Sequence, residues 1–294
     1  MNCCSPSAQR APFLPVVSAA HGSGRDSAVM MDVPGGMALI GDQSSWSYPG
    51  DGEGPVRRLE VRAFRLDRCA VSNARFSVFV ENTGHVTSAE RFGWSFVFGG
   101  ALPDDFPDTR GVVGAPWWRE VPGADWRHPE GGVSDLDGRA EHPVVHVGAD
   151  DAAAFAQWAG KRLPTEVEWE HAARAGSITT FPWGEELEPE GRHLANVWQG
   201  NFPSQNTCED GWFTTCPVDA FPSNAFGLHN MIGNVWEWTA DESGRDGRVL
   251  KGGSYLCHAS YCRRYRPAAR SSASVTSTAG NSGFRCAADA SSTA

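Results

Sequence analysis

Between Arg91 and Gly138 the chain runs through Trp, Pro and Gly with no apolar period of either 2 or 3.6 residues. Such a stretch points to loop and turn rather than to long regular elements, and loops of this length tend to be functional or surface decoration. The rest of the chain points the same way: 33 glycines, 19 prolines and 12 tryptophans stand beside only 40% hydrophobic residues. Each Trp buries a large area while needing a partner for its N–H. The expectation from composition is much loop and turn with few long regular elements, in which Arg91–Gly138 is a long irregular excursion, and the length suits one large domain or two ordinary ones.

Some elements are nevertheless signalled. Met31–Asp42 reads as two short strands around the Pro34-Gly35-Gly36 turn. Val56, Leu59, Val61 and Phe64 come closer to period two than to 3.6, predicting strand. Ser72 or Asn73 caps a helix with Phe76, Phe79 and Val80 on one face, ending at Gly84. Asp150–Trp158 predicts a second helix with Gly160 beyond its end. Thr165 and Glu168 form a capping box for a third, closed at Gly176. His142 and His146 would share one face of a strand and are read as structural rather than metal-binding.

A formal net charge of −10 argues against nucleic acid as a partner, because phosphate binding needs a basic face. No apolar run approaches the roughly 18 residues a membrane span requires. Residues 1–30 read as a disordered extension, since Pro12 and Pro15 break the short apolar stretch that a signal peptide would need. A soluble cytoplasmic monomer is expected.

The chemistry-bearing segment is Gly252–Cys262, GGSYLCHASYC. It sets Cys257 and Cys262 five residues apart behind a Gly-Gly turn, with Arg263, Arg264 and Arg270 following. Positive charge favours thiolate, and two thiolates are soft ligands for Cu(I) or Zn(II), or a redox pair. On spacing alone, two cysteines five apart are more often unrelated core residues or a structural disulfide. Cys3 and Cys4 lie in the extension, and Cys208 and Cys216 flank an aromatic loop. Two further segments offer oxygen to a hard cation: Asn196 and Asp210 with the carbonyls of Val197 and Trp212, and Asn230 and Glu237 with those of Gly233 and Val235.

With its flanks, RVLKGGSYLCHASYCRRYRPAARS and NSGFRCAAD, this segment resembles the active-site region of the formylglycine-generating enzymes. GKRLPTEVEWEHAARAG and FPSNAFGLHNMIGNVWEW are similar to the same family, so the likeness covers roughly Val33 to Asp289. The resemblance implies a single domain over residues 31–294 with a compact α+β fold, related to C-type lectin-like domains and with little regular secondary structure. It also implies an O2-dependent oxidase that converts the cysteine of a C-x-P-x-R sequence in an unfolded sulfatase to formylglycine, at a bis-thiolate Cu(I) site on Cys257 and Cys262. Ser254 then matches the serine near the oxygen position, Trp236 a cleft wall, and Arg270 and Asn281 groups of the substrate groove. Both oxygen-donor sets match structural calcium sites. There are departures: Ala273–Ala279 reads ASVTSTA where the family often carries N-T-P-D-S-S-A, and HVGADD has Ala149 in place of a tryptophan. Cys286 has no evident disulfide partner, which fits a cytosolic bacterial type. Two rival readings are a non-haem iron sulfoxide synthase, for which no H-x3-H-x-E pattern is present, and an inactive lectin-like binding module.

Overall fold

The computed structural model describes residues 5–8, 26, 28–132 and 134–290. The strands signalled at the start of the domain form as β1 (Met30–Val33) and β2 (Gly36–Ile40). They do not pair with each other. The Val56–Phe64 pattern becomes β3 (Arg57–Val61), which pairs with β2, and β4 (Phe64–Asp67), which pairs with β1. Helix α1 (Asn73–Thr83) is capped by Ser72, whose Oγ accepts from the Arg75 N–H, and ends at Gly84 with φ 66°. A short helix α2 (Ser88–Phe92) follows under its own Thr87–Glu90 capping box.

The excursion from Arg91 is more regular than its sequence predicts. It contains β5 (Trp94–Phe98), β6 (Gly111–Val112) and β7 (Ala115–Pro122), in the order β5-β7-β6. Four of the five β5 residues are buried, on both faces of the strand, so there is no alternation for a periodicity argument to detect. His142–His146 departs the other way. It is irregular apart from a bridge at Pro143, and His146 adopts φ 59°.

Helices α3 (Ala149–Trp158) and α4 (Glu166–Arg174) lie where expected. In α4 Thr165 Oγ1 accepts from the Glu168 N–H at 3.1 Å, and Glu168 accepts from the Thr165 N–H at 2.8 Å. Ala175, not Gly176, takes the left-handed cap. A small hairpin, β8 (Gly200–Asn201) and β9 (Gln205–Asn206), precedes the sheet that carries the site. That sheet comprises β10 (Trp236–Ser243), β11 (Gly247–Lys251), β12 (Arg270–Ser274) and β13 (Ser282–Gly283) in the order β12-β11-β10-β13. Strand β14 (Ala287–Asp289) returns to β4.

Phe76, Phe155, Trp236, Trp238 and Phe284 centre the largest apolar cluster, which includes Cys257 and Cys262. The expectation of an extension without structure over residues 1–30 falls mainly outside the described residues, but it fails at two places. Asp26 bonds Arg75 and Lys161, and Ser5 is 1% exposed. No described helix is long and apolar enough to cross a membrane.

Candidate active site

Strand β11 ends at Lys251, and Gly252 and Gly253 turn the chain with φ 96° and 75°. A Cβ on Gly252 would stand 3.1 Å from the Trp169 ring, and one on Gly253 2.9 Å from the Arg264 carbonyl oxygen. Only glycine lets the turn pass here. The chain is thereby thrown inward as Ser254–Cys257, where the Cys257 N–H bonds Ser254 O at 2.9 Å. A second turn, with the Cys262 N–H on His258 O at 2.7 Å, brings Cys262 back.

Both cysteines are fully buried, and their Sγ atoms stand 3.3 Å apart. That is well beyond a disulfide of about 2.05 Å, so the two are not bonded to each other. Cys262 is disulfide-bonded. Cys69, Cys208, Cys216 and Cys286 carry free thiols, so Cys208 and Cys216 do not pair. Burial drives the Cys216 thiol up to about 12 and raises that of Cys286, which leaves both inert.

Three of the residues read from the sequence converge on this pair. The Ser254 N–H points at Cys257 Sγ at 3.4 Å. Asn281 Nδ2 donates to Ser254 Oγ at 3.0 Å, as does the Leu256 N–H at 3.4 Å. Asn281 is held in turn because its carbonyl accepts from the Trp236 N–H at 2.8 Å, where β13 starts beside β10. Trp236 itself is fully buried in the cluster that contains both thiols, and its Nε1 finds no hydrogen-bond partner.

Of the arginines, Arg264 reaches Cys262 Sγ at 3.8 Å while pairing with Asp51. Arg263 lies over Trp46 and Tyr48. Arg270 is turned to Glu166, with contacts of 2.8 and 3.0 Å, and to the Asp51 carbonyl. It opens β12 rather than facing the sulfurs.

An aromatic wall that the sequence reading did not assemble stands beside the loop. Tyr261 stacks on Phe202 at 4.4 Å between centroids and meets Trp117 edge-on at 4.9 Å. These rings come from three distant segments, so no local spacing could have signalled them.

The two oxygen-donor sets differ in how well they suit a cation. In the first, Asn196 Oδ1 is buried without a hydrogen-bond partner. Burial raises the Asp210 carboxyl above the usual carboxylate range, against hydrogen bonds from Gln199, Trp212 and Val197 that act to lower it. The Gln199 amide crowds both Asp210 and the Val197 carbonyl. Trp212 bonds Asp210 through its N–H at 2.9 Å. A calcium ion would answer the orphaned oxygen and the desolvated carboxylate together.

In the second set Asn230 Oδ1 is likewise buried and unpartnered, at a backbone φ of 48°. Glu237, however, is committed elsewhere. Arg285 grips its two oxygens at 2.7 Å each, and Trp169 Nε1 donates at 2.8 Å. Gly233 and Val235 lie in the buried segment between them, and Gly233 packs so closely on the Asn196 carbonyl that any Cβ would collide with it. Asn234, which the sequence reading overlooked, ties these loops together. Its N–H bonds Asn196 O at 2.8 Å, its Oδ1 accepts from the Cys216 N–H at 3.0 Å, and its carbonyl accepts from the Tyr255 N–H at 3.0 Å.

His142 bonds Thr215 and His146 bonds Ser95. No cluster of three His, Cys, Asp or Glu able to hold a metal occurs among the described residues.

A low-regularity α+β domain with a buried thiol pair behind a Gly-Gly turn is the class that fold and site define. Residues 18–290 match the model of the sulfatase-modifying factor enzyme 1-like domain. The chain is 52% identical to a formylglycine-generating enzyme of Streptomyces coelicolor, covering 90% of this chain and 91% of that one. It is 51% identical to that of Thermomonospora curvata, covering 88% and 93%. Among solved structures it resembles PvdO from Pseudomonas aeruginosa, with TM-score 0.62 and 24% identity over 89% of this chain and 94% of that one, a likeness of fold alone. The protein belongs to the sulfatase-modifying factor, or formylglycine-generating enzyme, family.

Proposed function

We propose that this protein oxidises a cysteine, within a C-x-P-x-R segment of an unfolded sulfatase, to Cα-formylglycine. The observation that carries the reading is the buried Cys257–Cys262 pair at 3.3 Å, with the Ser254 N–H on the Cys257 sulfur and Asn281 donating to the Ser254 hydroxyl. Two soft sulfur donors in an apolar cluster suit Cu(I) better than a hard cation. Cys257 and Cys262, once the Cys262 disulfide is reduced, would hold that ion, which supplies the binding and reduction of O2.

The protein's own groups set the stage for this chemistry. The Ser254 N–H and the Arg264 guanidinium favour negative sulfur at Cys257 and Cys262 respectively. Two N–H donors occupy the Ser254 oxygen, which leaves its hydroxyl hydrogen to be given to an acceptor. Burial keeps bulk water from the pair. The substrate Cβ loses two electrons and two protons to give a thioaldehyde, and hydrolysis leaves the aldehyde and hydrogen sulfide. Reduction of O2 to water takes those two electrons and two more from an external thiol.

Calcium at Asn196, Val197, Asp210 and Trp212 is part of the same proposal, as is a second ion at Asn230, Gly233, Val235 and Glu237. Both would brace loops poor in ladder hydrogen bonds. Glu237 could join the second ion only by sharing its carboxylate with Arg285. The test is incubation of reduced, copper-loaded protein with a C-x-P-x-R peptide in air. Exchange of the cysteine sulfur for an aldehyde oxygen by mass is expected, and an unmodified peptide would refute the reading.

A further inference from the structure

His146 is a strained, polar residue in a fully buried place. Its backbone φ is 59°, in the left-handed region that a histidine enters only under constraint. Burial lowers its pKa to about 4, so the ring is neutral at pH 7. Its groups go to one short segment, residues 278–281. The His146 N–H donates to the Ala279 carbonyl at 3.0 Å. Its Nδ1 meets Ser95 Oγ at 2.7 Å, and Ser95 Oγ donates to Thr278 Oγ1 at 2.7 Å. Because the Ser95 hydroxyl hydrogen goes to Thr278, Ser95 accepts from His146, which puts the proton of the neutral ring on Nδ1. The ring also lies against Gly280, where a Cβ would stand 3.2 Å from Cε1 and Nε2.

Strand β5 holds the same segment through its backbone. The Phe96 N–H donates to the Thr278 carbonyl at 3.3 Å, and the Gly280 N–H donates to the Phe96 carbonyl at 2.9 Å. Ser95, Thr278 and Asn281 are each no more than 1% exposed, so solvent does not compete for these bonds. The clamp ends at Asn281, whose Nδ2 donates to Ser254 Oγ at 3.0 Å. A displacement of about 0.6 Å would carry that contact past the limit of a hydrogen bond.

We propose that His146 and Ser95, acting through Thr278, are positioning residues for the oxidation. They fix Asn281 against Ser254, and so fix the direction in which the Ser254 hydroxyl presents its hydrogen. Their effect is exerted through Asn281 rather than at the sulfurs. The inference deepens the proposed oxidation and rests on it for the rate measurements, whereas amide exchange reads the clamp without turnover.

Reduced, copper-loaded wild type, Ser95→Ala, Asn281→Ala and the double variant would be compared in steady-state oxidation of the C-x-P-x-R peptide, with Cu(I) affinity measured alongside. Ser95→Ala is expected to lower kcat about tenfold or more, because small misplacements at a reacting centre are costly. Its KM and Cu(I) affinity should stay within about twofold of wild type, as the thiols are untouched. The double variant should fall within about twofold of Asn281→Ala, since both changes release the same contact. An unchanged kcat, a loss confined to KM, or losses that multiply in the double variant overturns the proposal. Thr278→Ser keeps the receiving hydroxyl and should retain the wild-type kcat, while Thr278→Val should fall with Ser95→Ala; equal rates for these two overturn it, even if Ser95→Ala does not fold. Hydrogen exchange at the Gly280 and Ser282 amides should be about fivefold faster or more in Ser95→Ala or Thr278→Val than in wild type, with residues 247–251 unchanged. Equal exchange overturns the clamp. A wild type that leaves the peptide unmodified would count against the proposed oxidation alone, and exchange then decides the clamp by itself.

Discussion

Cys257 and Cys262 differ from the other described cysteines in what surrounds them. Cys216 and Cys286 are also buried, and burial pushes their thiols up; Cys257 and Cys262 stand with their sulfurs 3.3 Å apart, the Ser254 N–H on one and the Arg264 guanidinium on the other. Replacing either Cys257 or Cys262 by Ser is expected to abolish Cu(I) binding with the fold intact, because a hydroxyl is a poor ligand for a soft ion. Titration with a chromophoric Cu(I) chelator checks this, and unchanged affinity in either variant contradicts a two-sulfur site. His146 gives a pH signature. Burial lowers its pKa from 6.5 to about 4. As the pH falls through that window, the unfolded chain binds a proton that the folded one refuses, so stability is full above 6.5 and lost progressively toward 4. The loss attributable to this site is about 3 kcal/mol. His146→Asn, which tolerates the φ of 59°, should flatten that part of a denaturation series taken from pH 7 to 4.

At the scale of elements, what was legible in the sequence had a local physical cause. Capped helices were found because Ser72, Thr165 and Glu168 bond their own neighbours within a few residues. Strand β5 was missed because burial on both faces erases the alternation that marks a strand, and β7 because its buried residues, Ala115, Trp118 and Val121, fall three apart rather than two. The thiols, Ser254 and Asn281 were singled out through the likeness of GGSYLCHASYC and GFRC to a known family rather than through spacing, and the structure brings them together by hydrogen bonds. Arg270 was placed by the same likeness in the groove, and the structure shows it spent largely on Glu166. The aromatic wall of Trp117, Phe202 and Tyr261 and the bracing Asn234 were not legible, since their partners are remote in sequence. One element-scale prediction concerns the Asn196–Trp212 loop. If it holds calcium, chelation should lower the melting temperature, since an ion at about a hundredfold its Kd contributes about 2.7 kcal/mol. For a domain of this size that is a few degrees, and Asp210→Ala should reproduce part of the loss while leaving Cu(I) binding unchanged. Superimposable melts with calcium and with chelator would contradict it.

Across the whole molecule, a chain with little regular structure is held by buried ion pairs that join distant segments. Arg285 and Glu237, both nearly inaccessible, tie β10 to the segment before β14, and Arg266 with Glu53 ties the loop after Cys262 to the loop before β3. Removing one partner strands the other as a buried charge, so Arg285→Met should cost about 3–5 kcal/mol in a denaturant titration. A cost under about 1 kcal/mol would show that the pair is not a brace. The same scaffold holds the thiol pair in a dry cluster, and that pair is the reason to read the protein as an oxidase of peptidyl cysteine. The most direct measurement is a single one: reduced, copper-loaded wild type and Cys257→Ser, each incubated in air with a C-x-P-x-R peptide and followed by mass. The account predicts an aldehyde in place of the thiol with the wild type and none with the variant. An untouched peptide with both, or equal conversion by both, would contradict it.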